Sequence, residues 1–88
     1  MPIISIFLGI VIRMNFADHN PPHIHVDYGD YRAAFYIATG RRMIGQLPRR
    51  QTRYVVEWIV KNRPELLRNW DLAVAKLPTF KIEGLTDE

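Results

Sequence analysis

Cysteine is absent from this chain of 88 residues. Without thiols the protein can be neither a disulfide-stapled secreted scaffold nor a thiolate zinc finger. The absence also fits the reducing cytoplasm, which is the localisation we expect. A chain of this length is expected to form a single domain, residues 1–88, around one apolar core.

Long uninterrupted apolar runs are missing as well. The most apolar stretch, Pro2 to Ile12, is far shorter than the roughly 20 residues of a membrane-spanning helix. It does not resemble a signal peptide, because the first positive side chain, Arg13, follows the apolar stretch and no small-residue cleavage site comes after it. We therefore expect a soluble protein with no membrane partner.

The net charge is small, formally +3, but it is unevenly distributed. Between Tyr31 and Val56 there are six arginines and no acidic residue, so the rest of the chain carries a net −3. Arginine suits bidentate recognition of phosphate or carboxylate, and backbone N–H groups at a helix start favour anions. One interpretation is a binding surface for RNA, DNA or an acidic protein, and the other is a solvated surface that confers solubility. The candidate binding residues are Arg32, Arg41, Arg42, Arg49, Arg50 and Arg53.

The first half of the sequence predicts antiparallel strands. Residues 3–14 are rich in Ile, Val and Phe and favour a strand, with Gly9 marking a bulge or tight bend. His23 to Tyr28 alternates with period two, and Gly29-Asp30 is a two-residue hairpin signal. Tyr31 to Ile37 is the predicted return strand, so that His23 faces Tyr36 and His25 faces Ala34.

The turn at Thr39-Gly40 leads into a further predicted strand, residues 41–47. A two-residue turn would place Gly45 beside Ala34, where small residues would leave space next to His25. A three-residue turn would flip this strand to the other face.

From Pro48 onward the apolar period becomes helical. One helix is predicted from Pro48, Pro64 ends it and starts a second helix, and Pro78 stops the second. Trp58 and Trp70 lie on or beside the apolar stripes and are expected in the core. The predicted fold class is α+β, an antiparallel β-meander with one face covered by a two-helix hairpin and a short C-terminal extended segment.

All three histidines fall within seven residues, as His19-x-x-x-His23-x-His25. His23 and His25 must point the same way from a strand, and His19 lies on a proline-stiffened loop that can fold back toward them. Three interpretations remain open. The first is a polar, solvent-facing strand surface with an Asp27–Arg32 ion pair across the strands.

The second interpretation is a divalent metal site. His19, His23 and His25 would be the ligands of a metal such as zinc, with an open position for hydrolysis. The third is acid–base chemistry without any cofactor, since histidine titrates near neutrality and an arginine and a tyrosine on the same face could hold a phosphate. Its candidate catalytic residues are Asp18, His19, His23, His25 and Tyr36. The sequence alone does not decide whether the protein is an enzyme.

Several strings of the sequence resemble one known family along nearly the whole chain. They are Gly9-Ile10-x-Ile12-x-Met14, Phe16-x-Asp18-His19-x-Pro21-Pro22-His23-x-His25-Val26, Thr39-Gly40, Leu47-Pro48-x-Arg50, a tryptophan in each predicted helix and Lys81-Ile82-Glu83. On these residues the chain resembles the small, mainly bacterial domain-of-unknown-function family DUF4160. The Asp-His-x-Pro-Pro-His-x-His string is the specific part.

The resemblance implies no established activity. Members are often encoded beside another small protein, which implies a toxin–antitoxin-type component with a protein partner, a nucleic-acid partner or both. The alternatives are a His-dependent ribonuclease-like enzyme and a metal-binding protein. Relatives commonly carry acidic residues after the Thr-Gly turn, where this chain has Arg41 and Arg42, so the basic segment is expected to be particular to this chain or its subgroup. A site carried over from the family would comprise Asp18, His19, Pro21, Pro22, His23 and His25.

Overall fold

A computed structural model describes residues 2–16 and 19–86. Its strands form one antiparallel sheet in chain order, which confirms the α+β class and the meander. One helix follows the sheet. The elements are β1 (Ile3–Phe7), β2 (Ile10–Arg13), β3 (His23–Tyr28), β4 (Tyr31–Tyr36), β5 (Arg42–Gly45) and α1 (Arg49–Val74).

The apolar stretch at residues 3–14 is a hairpin of two strands rather than one strand, and the tight bend predicted at Gly9 is part of its turn. Leu8 and Gly9 form the turn between β1 and β2, with φ angles of 51° and 78°. Two consecutive positive φ angles fit the right-handed twist of the flanking strands. The pattern hid the turn because Leu8 is an apolar residue in a left-handed conformation, with no Asn or Asp to mark it.

The turn at Gly29-Asp30 sets the register that the sequence predicts. Gly29, the first central residue, has a φ of 56°. The cross-strand pairs of β3 and β4 follow as expected, and they are Tyr28 with Tyr31, Asp27 with Arg32, His25 with Ala34 and His23 with Tyr36.

The turn at Thr39-Gly40 has neither of the two lengths considered from the sequence. The Tyr36 N–H donates to the Arg41 carbonyl at 2.9 Å, so four residues, 37–40, lie between these two partners. An irregularity between Ala34 and Phe35 shifts the register further, and Gly45 lies beside Ala33 rather than Ala34. A glycine with positive φ closes turns of several lengths, so Gly40 alone does not reveal the spacing.

The helical region is one helix with a break, and the predicted two-helix hairpin was wrong. Only Asn62 departs from helical geometry, at φ −116° and ψ 20°, two residues before Pro64. Proline disrupts the preceding turn because it lacks an N–H and its ring crowds the carbonyl four residues back. The buried positions keep their helical spacing across the break, so both arms of α1 lie against the core. These positions are Val55, Trp58, Ile59, Leu66, Asn69, Trp70 and Ala73.

Both tryptophans are buried, as predicted, and each ties α1 to the rest of the molecule. The Trp58 ring packs against Phe7 at a centroid distance of 5.3 Å, and its Nε1 donates to the Glu83 carbonyl at 2.9 Å. Glu83 belongs to the residues after α1, where the Ile82 N–H also donates to the Ile4 carbonyl at 2.8 Å. The segment 78–86 therefore lies along β1 and covers that side of the core. No helix within residues 2–16 and 19–86 is both long and apolar enough to span a membrane.

Candidate functional site

The sheet face that carries Arg13, His25, Asp27 and Arg32, here called the polar face, is organised around one carboxylate. Arg13 donates to both Asp27 oxygens, Nε to Oδ2 at 2.7 Å and Nη2 to Oδ1 at 3.2 Å. The Arg32 Nε lies 3.9 Å from Asp27 Oδ1, and its side chain is 83% exposed. The predicted Asp27–Arg32 pair is thus present but secondary. The pairing of Arg13 with Asp27 was missed because the register of β2 against β3 depends on the long loop between them.

His23 is buried rather than solvent-facing, so the surface interpretation is wrong for this residue. Only 7% of the His23 surface is exposed to solvent. The ring packs against Trp70 at a centroid distance of 5.3 Å, because the second arm of α1 reaches the end of the sheet where β3 begins. The His23 Nδ1 donates to the Pro21 carbonyl at 2.8 Å, since a carbonyl can only accept. His23 therefore connects Pro21, in the loop before β3, to Trp70 of α1. This loop, which contains Pro21 and Pro22, is here called the proline loop.

His25 is half-buried beside His23, with the two rings edge to face at a centroid distance of 5.1 Å. Its Nε2 lies 3.1 Å from the Asn15 Nδ2. The Asn15 amide and the His25 ring are therefore within hydrogen-bonding distance. One ring nitrogen of each histidine is thereby engaged by the protein itself.

Among the described residues, the predicted histidine site does not form a metal centre. His19 is exposed, and Asp18 lies outside the described residues. Within residues 2–16 and 19–86 no group of three or more His, Asp or Glu side chains is arranged to hold a metal ion. The structure brings His23 and His25 together, and it does not assemble the three-histidine ligand set there.

Tyr36 lines a groove beside Pro21 and Pro22, here called the proline groove. This proline groove has a volume of about 480 Å³ and is open to solvent. Its lining is largely apolar, with two arginines among the lining residues, which are Pro21, Pro22, Tyr36, Ala38, Thr39, Arg41 and Arg42. Hydrogen bonds hold both prolines of this groove in place. The Pro21 carbonyl accepts from His23 Nδ1 at 2.8 Å, and the Pro22 carbonyl accepts from the Ile37 N–H at 3.1 Å.

A second groove, here called the helix groove, shares Arg42 with the proline groove. It measures about 630 Å³ and lies between β5 and the first turns of α1, lined by Arg42, Leu47, Arg49, Thr52, Arg53, Val56 and Glu57. The first turn of α1 contains no acidic residue. The two grooves together bring four of the six predicted binding arginines onto one surface, here called the arginine surface, Arg41, Arg42, Arg49 and Arg53.

The remaining two predicted binding arginines lie elsewhere. Arg32 belongs to the polar face, and Arg50 lines a separate groove with Leu8 and Tyr54. Helical spacing accounts for this separation, because consecutive residues such as Arg49 and Arg50 point about 100° apart around a helix. The sequence grouped all six arginines because they are close along the chain.

The comparisons with known proteins found one family. A family model described as a domain of unknown function (DUF4160) matches residues 9–71. The match extends from the β1–β2 turn to the second arm of α1 and includes the proline loop and both grooves. Neither a curated protein nor a solved structure matches the chain.

Proposed function

The chain belongs to the DUF4160 family, whose description assigns no activity, and we propose from its own geometry that it binds nucleic acid through the arginine surface. The observation that carries the proposal is the sharing of Arg42 by two grooves lined by four arginines. A toxin–antitoxin-type role beside a small protein partner, which the family resemblance implies, is compatible with a binding module of this kind.

Within residues 2–16 and 19–86, no ion pair neutralises the positive charges of the arginine surface. None of Arg41, Arg42, Arg49 and Arg53 forms an ion pair with a carboxylate of the described residues, where Asp27 is engaged by Arg13 and Arg32. Glu57 also lines the helix groove, but its one negative charge is outnumbered by the four positive charges of the arginine surface. Uncompensated guanidinium groups suit phosphate, because each can form two parallel hydrogen bonds to its oxygens.

The shape of the surface favours a polymer over a small anion. Both grooves are open and shallow, and they adjoin at Arg42, so a chain of phosphates can run from one to the other. A small anion can use only a few contacts in an open groove, whereas a polyanion gains affinity from several exposed contacts and from counterion release.

The surroundings of His23 support a structural role for this residue better than a catalytic one. His23 is buried against Trp70, and its Nδ1 is engaged by the Pro21 carbonyl. A general acid or base must reach the proton that it transfers. We therefore propose a binding function and no hydrolytic step.

Fluorescence anisotropy with a labelled 12-nucleotide single strand tests the proposal. We expect binding of the unmodified protein in about the micromolar range near physiological salt, weakening steeply as salt is raised, as for sequence-independent binding to phosphates. Arg42→Gln and Arg53→Gln should each reduce the affinity several-fold and reduce the slope of log K against log salt by about 1.

Arg68→Gln is the matched control, since Arg68 is also an exposed arginine of α1 but lines neither groove. It should leave affinity and salt slope unchanged. Thermal unfolding of each variant verifies that the fold is intact. The proposal is wrong if the unmodified protein fails to bind at low salt, or if Arg68→Gln weakens binding as much as Arg53→Gln does.

A further inference from the structure

We infer that the proline groove holds one unstacked nucleobase against Tyr36, which makes the protein selective for single strands over duplexes. This inference rests on the proposed function and names the class of nucleic acid that the same surface takes. A nucleobase has two apolar faces and a polar edge. The groove offers a matching set of residues, because Tyr36, Pro21, Pro22 and the polar Thr39 are among those that line it.

The Tyr36 platform is held in place before any ligand arrives. Tyr36 is half-buried and pairs with His23 across β3 and β4. Its N–H donates to the Arg41 carbonyl and its carbonyl accepts from the Gly40 N–H, both at 2.9 Å. A stacking surface that is already ordered loses little conformational entropy on binding.

Pro21 and Pro22, which also line the groove, are held by hydrogen bonds as well, and one of these bonds comes from His23 of the histidine string. The Pro21 carbonyl accepts from His23 Nδ1, and the Pro22 carbonyl accepts from the Ile37 N–H. His23 in turn is packed against Trp70. His23 is thus a positioning residue, which keeps the prolines at a constant distance from the tyrosine.

The surrounding charge selects a base that is joined to a backbone. Arg41 and Arg42 line the same groove as Tyr36, and Arg42 also lines the helix groove with Arg49 and Arg53. Phosphates on one side of the inserted base would meet Arg41 and Arg42, and the strand would continue along Arg49 and Arg53. In a duplex each base is paired and stacked, so entering the groove would require opening the helix.

The test compares three probes of equal length, namely a single-stranded 12-mer, its duplex and an abasic strand that keeps the sugar–phosphate backbone. We expect the unmodified protein to bind the single strand about tenfold more tightly than the abasic strand. A difference of this size is what the stacking of one base on an aromatic ring contributes to affinity. Tyr36→Leu should abolish this difference without changing affinity for the abasic strand, whereas Tyr36→Phe should retain it because the ring remains.

Ala38→Met provides a second variant that does not depend on replacing a half-buried residue. Ala38 is exposed and lines the proline groove, so the longer side chain fills the groove without disturbing the core. It should weaken binding of the single strand about as much as Tyr36→Leu does, and leave the abasic strand unaffected.

The outcomes separate this inference from the proposed function. If single and abasic strands bind equally and Tyr36→Leu has no effect, while Arg42→Gln still weakens both, the stacking inference is overturned and backbone binding stands. If the duplex binds more tightly than the single strand, the inference is also overturned. If no probe binds, the proposed function fails and the inference with it.

Discussion

At the residue scale, Asn69 shows how one buried polar side chain joins two parts of the chain. It is fully buried, 0% exposed, in the second arm of α1. Its Nδ2 donates to the Phe80 carbonyl at 2.8 Å, and its Oδ1 accepts from the Phe80 N–H at 2.9 Å. The Asn69 amide therefore provides hydrogen-bond partners for both backbone groups of Phe80. Phe80 lies outside any helix or strand, so these groups have no partners from regular secondary structure.

Replacing Asn69 with leucine should strongly destabilise the protein. The substitution fills the space but leaves the N–H and carbonyl of Phe80 without partners in a buried setting, a loss of about 3 kcal/mol. Urea denaturation measures the free energy of unfolding. Asn20→Ala, at an exposed position, is the control and should change it by less than about 0.5 kcal/mol. A loss for Asn69→Leu below about 1 kcal/mol would contradict this account.

The histidine string marks the limit of residue-scale prediction from sequence. Strand alternation and the Gly29-Asp30 turn correctly predict that His25 faces Ala34 and His23 faces Tyr36. They do not predict the contact of His23 with Trp70, because that contact depends on the path of a helix more than forty residues later. The sequence therefore showed where the histidines are, and the tertiary structure was needed to show that His23 is buried.

At the element scale, the turns explain which parts of the sheet were predictable. Gly29-Asp30 combines a glycine in the first central position with alternating strands on both sides, so only one register fits. The segment at residues 37–40 has one glycine at its end, which is compatible with several loop lengths, and the register of β5 could not follow from it. The α1 break was visible as Pro64, but a proline indicates a break without indicating whether the chain then reverses direction.

Gly45 at the end of β5 has the most demanding backbone position in the sheet. Its φ is 89°, and a Cβ there would overlap the Arg32 carbonyl oxygen and lie 2.7 Å from the Ala33 Cα. Both neighbours are backbone atoms of β4, which cannot move aside as a flexible side chain can. β5 can therefore pair closely with β4 only if this residue has no side chain.

Gly45→Ala should consequently detach or distort β5, at a cost of more than about 3 kcal/mol. Gly29→Ala is the matched control, because Gly29 also has a positive φ, 56°, but nothing lies within 4 Å of the added Cβ. That control should lose only about 1 to 2 kcal/mol from backbone strain. Denaturation curves of the two variants provide the comparison. Equal losses would show that steric overlap with β4 is unimportant.

At the scale of the whole molecule, the folded unit extends beyond the part that the family model matches. The match ends at residue 71, yet segment 78–86 supplies the acceptor for Trp58, the partner of Asn69 and a buried side chain, Ile82. These contacts reach β1 and both arms of α1. The segment therefore completes the core although it forms no helix or strand of its own.

Ile82→Ala should lower the free energy of unfolding by about 2 to 4 kcal/mol, the usual cost of truncating a buried isoleucine. Ile82 is only 7% exposed and belongs to the main core cluster. Lys81→Ala changes the adjacent, exposed residue and should have an effect below about 0.5 kcal/mol. Urea denaturation of both variants tests whether segment 78–86 is part of the cooperative unit. If both variants changed the free energy of unfolding by similarly small amounts, segment 78–86 would not be part of the cooperative unit.

The first turn of α1 has a consequence for the evolution and engineering of this protein. Arg49 and Arg50 lie in the first turn of α1, where backbone N–H groups already carry partial positive charge, Arg53 follows at the start of the second turn, and the first turn contains no acidic residue. Such an arrangement opposes the helix dipole and costs stability in the unbound protein. A polyanion bound at the proposed site would relieve that opposition, whereas acidic substitutions would relieve it permanently and remove the proposed site. Selection for thermal stability alone would thus favour acidic residues here at the expense of the proposed binding, which is a trade-off between stability and the proposed function.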